Sequence, residues 1–430
     1  MIDAARGRPD AAAGDDDRQA GDETAAKQRG GAGGDADERD GRGDELGVFD
    51  VQAQRPGRAG GGETGDEGDG GGACAHDHIF YHARDMRFAI TALGVVSPLG
   101  VGEEAFFAAL DGGAAAAASD ADGLRVARVG DFGAKQKIAP GTLRRLPRLS
   151  QMAIVAGKEA LAQGAPPYDA TRVGVVLGTG LGTLEETIGF MRGYLEGGPE
   201  AASPLLFPSS VMNAAAGQLA LECKLRGVNS TVNHRDASAL SALAMACDLL
   251  ALGRAEALVV GAVDELSAPA LAGYRALGAA GVTLGEGAAM MLVEREDDAK
   301  KRGARIRAVV TGRGERGEDR ARVGWGRGEA WAEAARAVRE AVAGRAVDLV
   351  VSGANGSAYD AREAAAVREG LDGATPPALA IVPRTGESFS SPAQRLLAAV
   401  HALEAGRASR ALVPAFAQGG ANVAVVLERG

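Results

Sequence analysis

Apolar residues in this chain fall into short unbroken runs, not into the strict alternation of half-exposed strands. Val173-Gly-Val-Val-Leu177 is one such run. Runs of this length bounded by glycine suit strands buried on both faces, in a sheet covered by helices. Many of the runs come in pairs. Arg172-Val-Gly-Val-Val-Leu-Gly178 matches Val347-Asp-Leu-Val-Val-Ser-Gly353, and Phe88-Ala-Ile-Thr-Ala-Leu-Gly94 matches Ile306-Arg-Ala-Val-Val-Thr-Gly312. Leu252-Gly-Arg-Ala-Glu-Ala-Leu-Val-Val260 recurs as Glu404-Ala-Gly-Arg-Ala-Ser-Arg-Ala-Leu-Val413. Each of these follows an Ala/Leu-rich helical stretch. Each leads to an apolar strand that ends in an acid and a base, Ala289–Arg295 and Val423–Arg429. Repeated β–α–β units predict two similar halves, about 86–300 and about 301–430. In this register Asp236 and Glu387 occupy equivalent strand-to-helix turns, so the halves are expected to face each other across one site.

The pattern is missing from residues 1–85, which are rich in Gly, Asp, Arg and Ala and poor in large apolar side chains. Such a segment cannot bury enough apolar surface to offset its ordering entropy. It reads as a disordered low-complexity tail, or as sequence upstream of the true start, with Met86 just before the first convincing strand. Residues 86–430 are ample for one large core. No run approaches the ~20 apolar residues of a membrane span, and no signal-peptide pattern opens the chain. The three cysteines, Cys74, Cys223 and Cys247, have no framework spacing, which points to a reducing cytoplasm. A net charge of −10 argues against a nucleic-acid partner.

The stretch Asn229–Leu243 reads as a short strand, a sharp turn at His234-Arg-Asp-Ala-Ser-Ala239, and a helix. It resembles the active-site elbow of the β-ketoacyl synthases, the Claisen-condensing enzymes of fatty acid and polyketide synthesis. Other segments are similar to that family in the same order. They are Phe88–Gly100 (opening strand and turn), Val173–Gly180 (core strand with a Gly-rich exit), Phe207–Gln218 (leading to the dimer-forming region), Gly285-Glu-Gly-Ala-Ala289 and Gly419-Gly-Ala-Asn422. The resemblance implies an α/β protein of thiolase-like fold, with duplicated βαβ halves in α/β/α/β/α layers and two similar mixed sheets.

The departures are equally consistent. Asp236 stands where the family has its nucleophilic cysteine, Asn355 where it has the first histidine, and Glu387 where it has the second. Neither Val382 nor Pro383 supplies the family's nearby lysine. The gating Phe of its Gly-Phe-Gly-Gly motif is replaced within Ala417-Gln-Gly-Gly420. A thiol at a helix N-terminus is favoured as thiolate and can carry an acyl group; a carboxylate there cannot form a thioester.

Each position also has a plain structural role. Asp236 is a good helix N-cap, or else a negative lid over an acyl pocket. Asn355 suits a Gly-rich turn. Glu387 suits the start of a helix, where the dipole favours an acid, and acts as a general base only if burial raises its pKa. Cys247, about three helical turns beyond Asp236, reads as core packing, as does His401, and Cys223 as structural. Cys74, His76, His78 and His82 lack regular zinc spacing. Gly178-Thr-Gly-Leu-Gly182 is a weak dinucleotide fingerprint, because its third glycine falls at Thr183.

The resemblance therefore implies a condensation-incompetent subunit, similar to the chain-length factors, that shapes the acyl tunnel of an active partner. The implied partners are an intact β-ketoacyl synthase, in a heterodimer, and an acyl carrier protein. No cofactor or metal is expected. Val211 and Met212 are candidate contacts, with Asn213 as a polar tie. An acyltransferase using Asp236 or Glu387, and a stand-alone acyl-binding protein, are the alternatives.

Overall fold

The computed structural model describes residues 86–279, 281–318 and 331–430. The expectations for residues 1–85, including the Cys74/His76/His78/His82 cluster, lie outside the described residues.

Eleven strands form the main sheet, ten along one path and the short Gly100–Val101 paired off it with Val96 and Ser97. The first five of the ten are β1 (Phe88–Ser97), β2 (Val173–Gly178), β3 (Asn229–Val232), β4 (Ala257–Asp264) and β5 (Gly287–Arg295). The second five are β6 (Ala308–Gly317), β7 (Leu349–Ser352), β8 (Ala378–Ala380), β9 (Arg410–Phe416) and β10 (Ala421–Arg429). Their order is β8-β7-β9-β10-β6-β1-β5-β4-β2-β3. Read outward from the middle, the two arms are the same sequence of strands shifted by five. The directions also repeat: β2 is parallel to β3 and β4, and β7 is parallel to β8 and β9. The strands nearer the middle pair antiparallel in both arms. One bulge interrupts each arm, at Thr91 and at Thr311.

The two expected sheets are one hydrogen-bonded sheet. β1 and β6 pair antiparallel through Phe88↔Val310, Ala89↔Val309 and Ile90↔Ala308. All six residues are buried. Unpaired N–H and C=O groups at such a place would have no water to bond, so the two edges join.

Helices fill three layers around the sheet. α1 (Glu103–Asp111), α2 (Arg148–Gly164), α3 (Leu184–Gly197), α4 (Ala214–Cys223), α5 (Ser238–Ala251) and α6 (Ala268–Ala276) belong to the first half. α7 (Ala332–Val342), α8 (Tyr359–Gly370) and α9 (Ser391–Glu404) belong to the second. α2 and α4 pack with the first arm in one core cluster, and α7 and α8 with the second arm in another. α5 and α9 lie between the arms, in the largest cluster. Ten of the fourteen residues of α5 and twelve of the fourteen of α9 are buried, which explains why their sequences are Ala/Leu-rich with little polar face.

Glycine sets the closeness of the layers at two equivalent strand positions. A Cβ on Gly94 of β1 would lie 1.9 Å from the Ala156 carbonyl oxygen of α2, and one on Gly312 of β6 would lie 1.9 Å from that of Ala341 in α7. No helix among the described residues is long and apolar enough to cross a membrane.

Candidate active site

The chain leaves β3 at Val232, exposes Asn233 and His234, and turns at Arg235, whose φ of 50° is left-handed. A non-glycine residue there is strained by about 1 kcal/mol or more. Ser238 holds the turn: its Oγ accepts from the His234 N–H (2.9 Å) and faces the carbonyl oxygens of Arg235 (2.7 Å) and Thr179 (3.1 Å). Asp236 sits in the short 3-10 turn Arg235–Ala237 before α5.

Asp236 does not cap that helix. The residue before α5 is Ala237, and no side chain bonds its first N–H groups. The Gln418 N–H and the N–H of Asp236 itself instead favour its charged form. As a residue Asp236 is half-buried, yet Oδ2 is sealed from solvent and has no hydrogen-bond partner among the described residues. Burial pushes its pKa up to about 6.

Glu387 is likewise not a helix-start acid, because α9 begins at Ser391. Its backbone is pinned to the short strand Leu284–Gly285. The Glu387 N–H donates to the Thr283 carbonyl (2.7 Å), and the Gly285 N–H donates to the Glu387 carbonyl (2.7 Å). The side chain is buried and accepts from Asn355 Nδ2 at 2.9 Å. Burial, and then the charge of Asp236, push its pKa up to about 8, against the opposing effects of Asn355 and Arg395. Asn355 also keeps the turn role, since its Oδ1 accepts from the Ser357 N–H (3.1 Å).

The fold thus brings Asp236, Asn355 and Glu387 together between the two arms. It adds residues that sequence reasoning missed. Asp264, at the end of β4, accepts from Thr179 Oγ1 (2.9 Å), the Gly180 N–H (3.0 Å) and the Leu181 N–H (2.9 Å). Burial still pushes it up to about 7. These bonds remove the dinucleotide reading of Gly178–Gly182, because the backbone N–H groups that would cradle a phosphate hold the chain's own carboxylate. A Cβ on Gly180 would also lie 2.3 Å from the Phe389 ring, so glycine there makes room for an aromatic. Arg395 of α9 is 3% exposed and donates from Nη1 to the carbonyls of Pro414 (2.6 Å) and Val351 (3.4 Å). Glu363 of α8 accepts from the Gly353 N–H at 2.8 Å, and burial raises its pKa. A signal was present for Arg395: a cation directly before the apolar run Leu396–Val400 of an Ala/Leu helix must have buried carbonyls or acids as partners.

The remaining candidates are structural. Cys247 is fully buried, and burial pushes its thiol up to about 12. Cys223 packs against the outer core, its thiol pushed up to about 11 by burial. His401 stacks on Phe107 at 4.2 Å and bonds Asp111 at 2.9 Å. Val211, Met212 and Asn213 are exposed.

Residues 85–280 match the family profile "Beta-ketoacyl synthase, N-terminal domain". Among curated proteins the chain is 30% identical to 3-oxoacyl-acyl-carrier-protein synthase 2 of Vibrio harveyi, over 262 residues that make up 54% of this chain and 63% of that protein. It is 31% identical to the enzyme of the same name from Rhizobium meliloti strain 1021, covering 54% of this chain and 64% of that one. Residues 85–280 are thus similar to the N-terminal domain of the β-ketoacyl synthases. The chain's match spans slightly under two thirds of the length of these relatives. In fold it is similar to a β-ketoacyl synthase from Burkholderia phymatum STM815 (TM-score 0.72, 21% identity, 80% of this chain and 100% of that one). It is also similar to the ishigamide ketosynthase/chain length factor (TM-score 0.69, 23% identity, 80% and 100%). Both likenesses are of fold, and they support a thiolase-like architecture.

Proposed function

We propose that this ketosynthase-like protein of fatty acid or polyketide biosynthesis does not condense, and acts as the partner subunit that shapes the acyl tunnel of an active synthase. One observation carries the reading. The elbow between the two arms presents a carboxylate, Asp236, with Asn355 and Glu387 beside it, and no thiol among the described residues. The nearest cysteine along α5, Cys247, is fully buried with its thiol held protonated. Nothing at the elbow can therefore hold an acyl chain as a thioester.

The partner is inferred to be an intact synthase together with an acyl carrier protein, since similar folds occur in a type II polyketide ketosynthase in complex with its acyl-carrier protein and in the ishigamide ketosynthase/chain length factor. The outer surface supports a large contact. Leu205 is 89% and Leu195 74% exposed, and Met191, Phe207, Val211 and Met212 are exposed near them in the chain. Exposed apolar groups of this number mark interaction surfaces more often than chance.

The test is incubation of the purified chain with an acyl thioester and malonyl-carrier protein, read by mass spectrometry. No stable acyl adduct and no condensation product are expected. An adduct on Cys223 or Cys247 that turns over with malonyl-carrier protein overturns the reading. Turnover without any cysteine adduct, abolished by Glu387→Gln, would instead establish an acyltransferase that uses Glu387 as its acid.

A further inference from the structure

Resting on the reading that acyl chains reach this site, we propose that it is selective by charge. It admits neutral acyl thioesters and rejects those that end in a carboxylate, such as malonyl groups. The first ground is the state of the hydrogen-bond donors. Asn355 Nδ2 is occupied by Glu387, and the Gly180 and Leu181 N–H groups by Asp264. These donors already hold carboxylates of the chain's own.

The second ground is the acceptor left over: Asp236 Oδ2, buried and unpaired. It welcomes a donor or a neutral group and repels an anion. The third is the fixed cation. Arg395 has Nη1 on two carbonyl oxygens, and it forms no ion pair among the described residues. Its Nε is buried without a partner, yet its field is divided among Asp236, Glu363 and Glu387. Arg235, exposed at the elbow, is the other cation acting on Asp236. Tyr274 and Tyr359, also within reach of Asp236 and Glu387, are kept neutral by burial. A ligand carboxylate would therefore add a fourth or fifth acid to a water-poor site, where charge repulsion is strong.

The experiment compares non-hydrolysable butyryl and malonyl pantetheine analogues, which are similar in size, by calorimetry on the full chain. At about pH 8 the malonyl analogue is expected to bind at least about tenfold more weakly. In the Asp236→Asn/Glu387→Gln double variant that gap should close. Equal affinities in the wild type, or an unchanged gap in a variant that folds normally by circular dichroism, overturn the proposal and leave the acyl-binding reading intact. Binding of neither analogue overturns both. If the double variant does not fold, the wild type between about pH 6 and pH 9 decides: the gap should widen as the acids lose their protons, and a flat profile overturns the proposal.

Discussion

Glu387 is an acid kept protonated at neutral pH by its surroundings, and that has a measurable cost. Its pKa is about 8 in the folded chain and near 4.5 when unfolded. The folded state therefore holds a proton that the unfolded state releases across this window. The stability linked to that proton is fully present below about pH 4.5 and is lost as pH rises through about 8. Asp264 and Asp236 add the same trend at lower pH. Glu387→Gln should flatten the curve. Its melting temperature should exceed the wild type's increasingly from about pH 6 to pH 9, by an amount worth a few kcal/mol at most. A parallel pair of curves would contradict the protonated state. At this scale the repeat register placed Asp236 and Glu387 at equivalent turns facing one site, and the family resemblance added Asn355. The sequence did not show Asp264, Glu363 or Arg395 as their neighbours. Their roles depend on backbone groups, at Thr179–Leu181, Gly353 and Pro414, that only the folded chain brings near.

The elements were more legible than the site. Unbroken apolar runs marked β2, β4, β5, β9 and β10, because burial on both faces leaves no polar alternation to confuse the period. The three-residue β8 and the small sheet of Ser119–Ala121, Leu124–Ala127 and Leu284–Gly285 were not read. They are short and partly polar; Ser119–Ala121 and Leu124–Ala127 form a tight hairpin, and only Leu284–Gly285 joins it from far along the chain. The paired glycines of β1 and β6 give a sharp test of the duplicated packing. Gly94→Ala and Gly312→Ala each drive a methyl into a helix carbonyl oxygen, since neither backbone has room to retreat. Each is expected to cost about 3 kcal/mol or more in chemical denaturation. A loss below about 1 kcal/mol at either would show that the layer can shift away.

At the scale of the whole molecule, the exposed apolar surface near α3 is the part that a lone chain leaves unexplained. Leu195→Asp or Leu205→Asp should lower the mass measured by light scattering after size exclusion, from dimer to monomer, and leave the melting temperature of the subunit unchanged. These side chains are 74% and 89% exposed, so the monomer has little packing to lose there. A monodisperse monomer in the unaltered chain, indifferent to intact synthases, would remove the subunit reading.

The short seam between β1 and β6 has a consequence for how the chain comes apart. Three residue pairs join the arms, but Arg307, just before β6, also pairs with Glu103 of α1 and with Glu404 of α9 at 2.7 Å. Ties from both halves therefore converge on one buried guanidinium at the seam. Neither arm can melt without uncovering this charge and the edge of its neighbour. The duplicated architecture should accordingly unfold as one cooperative block, with a single calorimetric transition whose measured enthalpy equals its van't Hoff enthalpy, and not as two domains in succession.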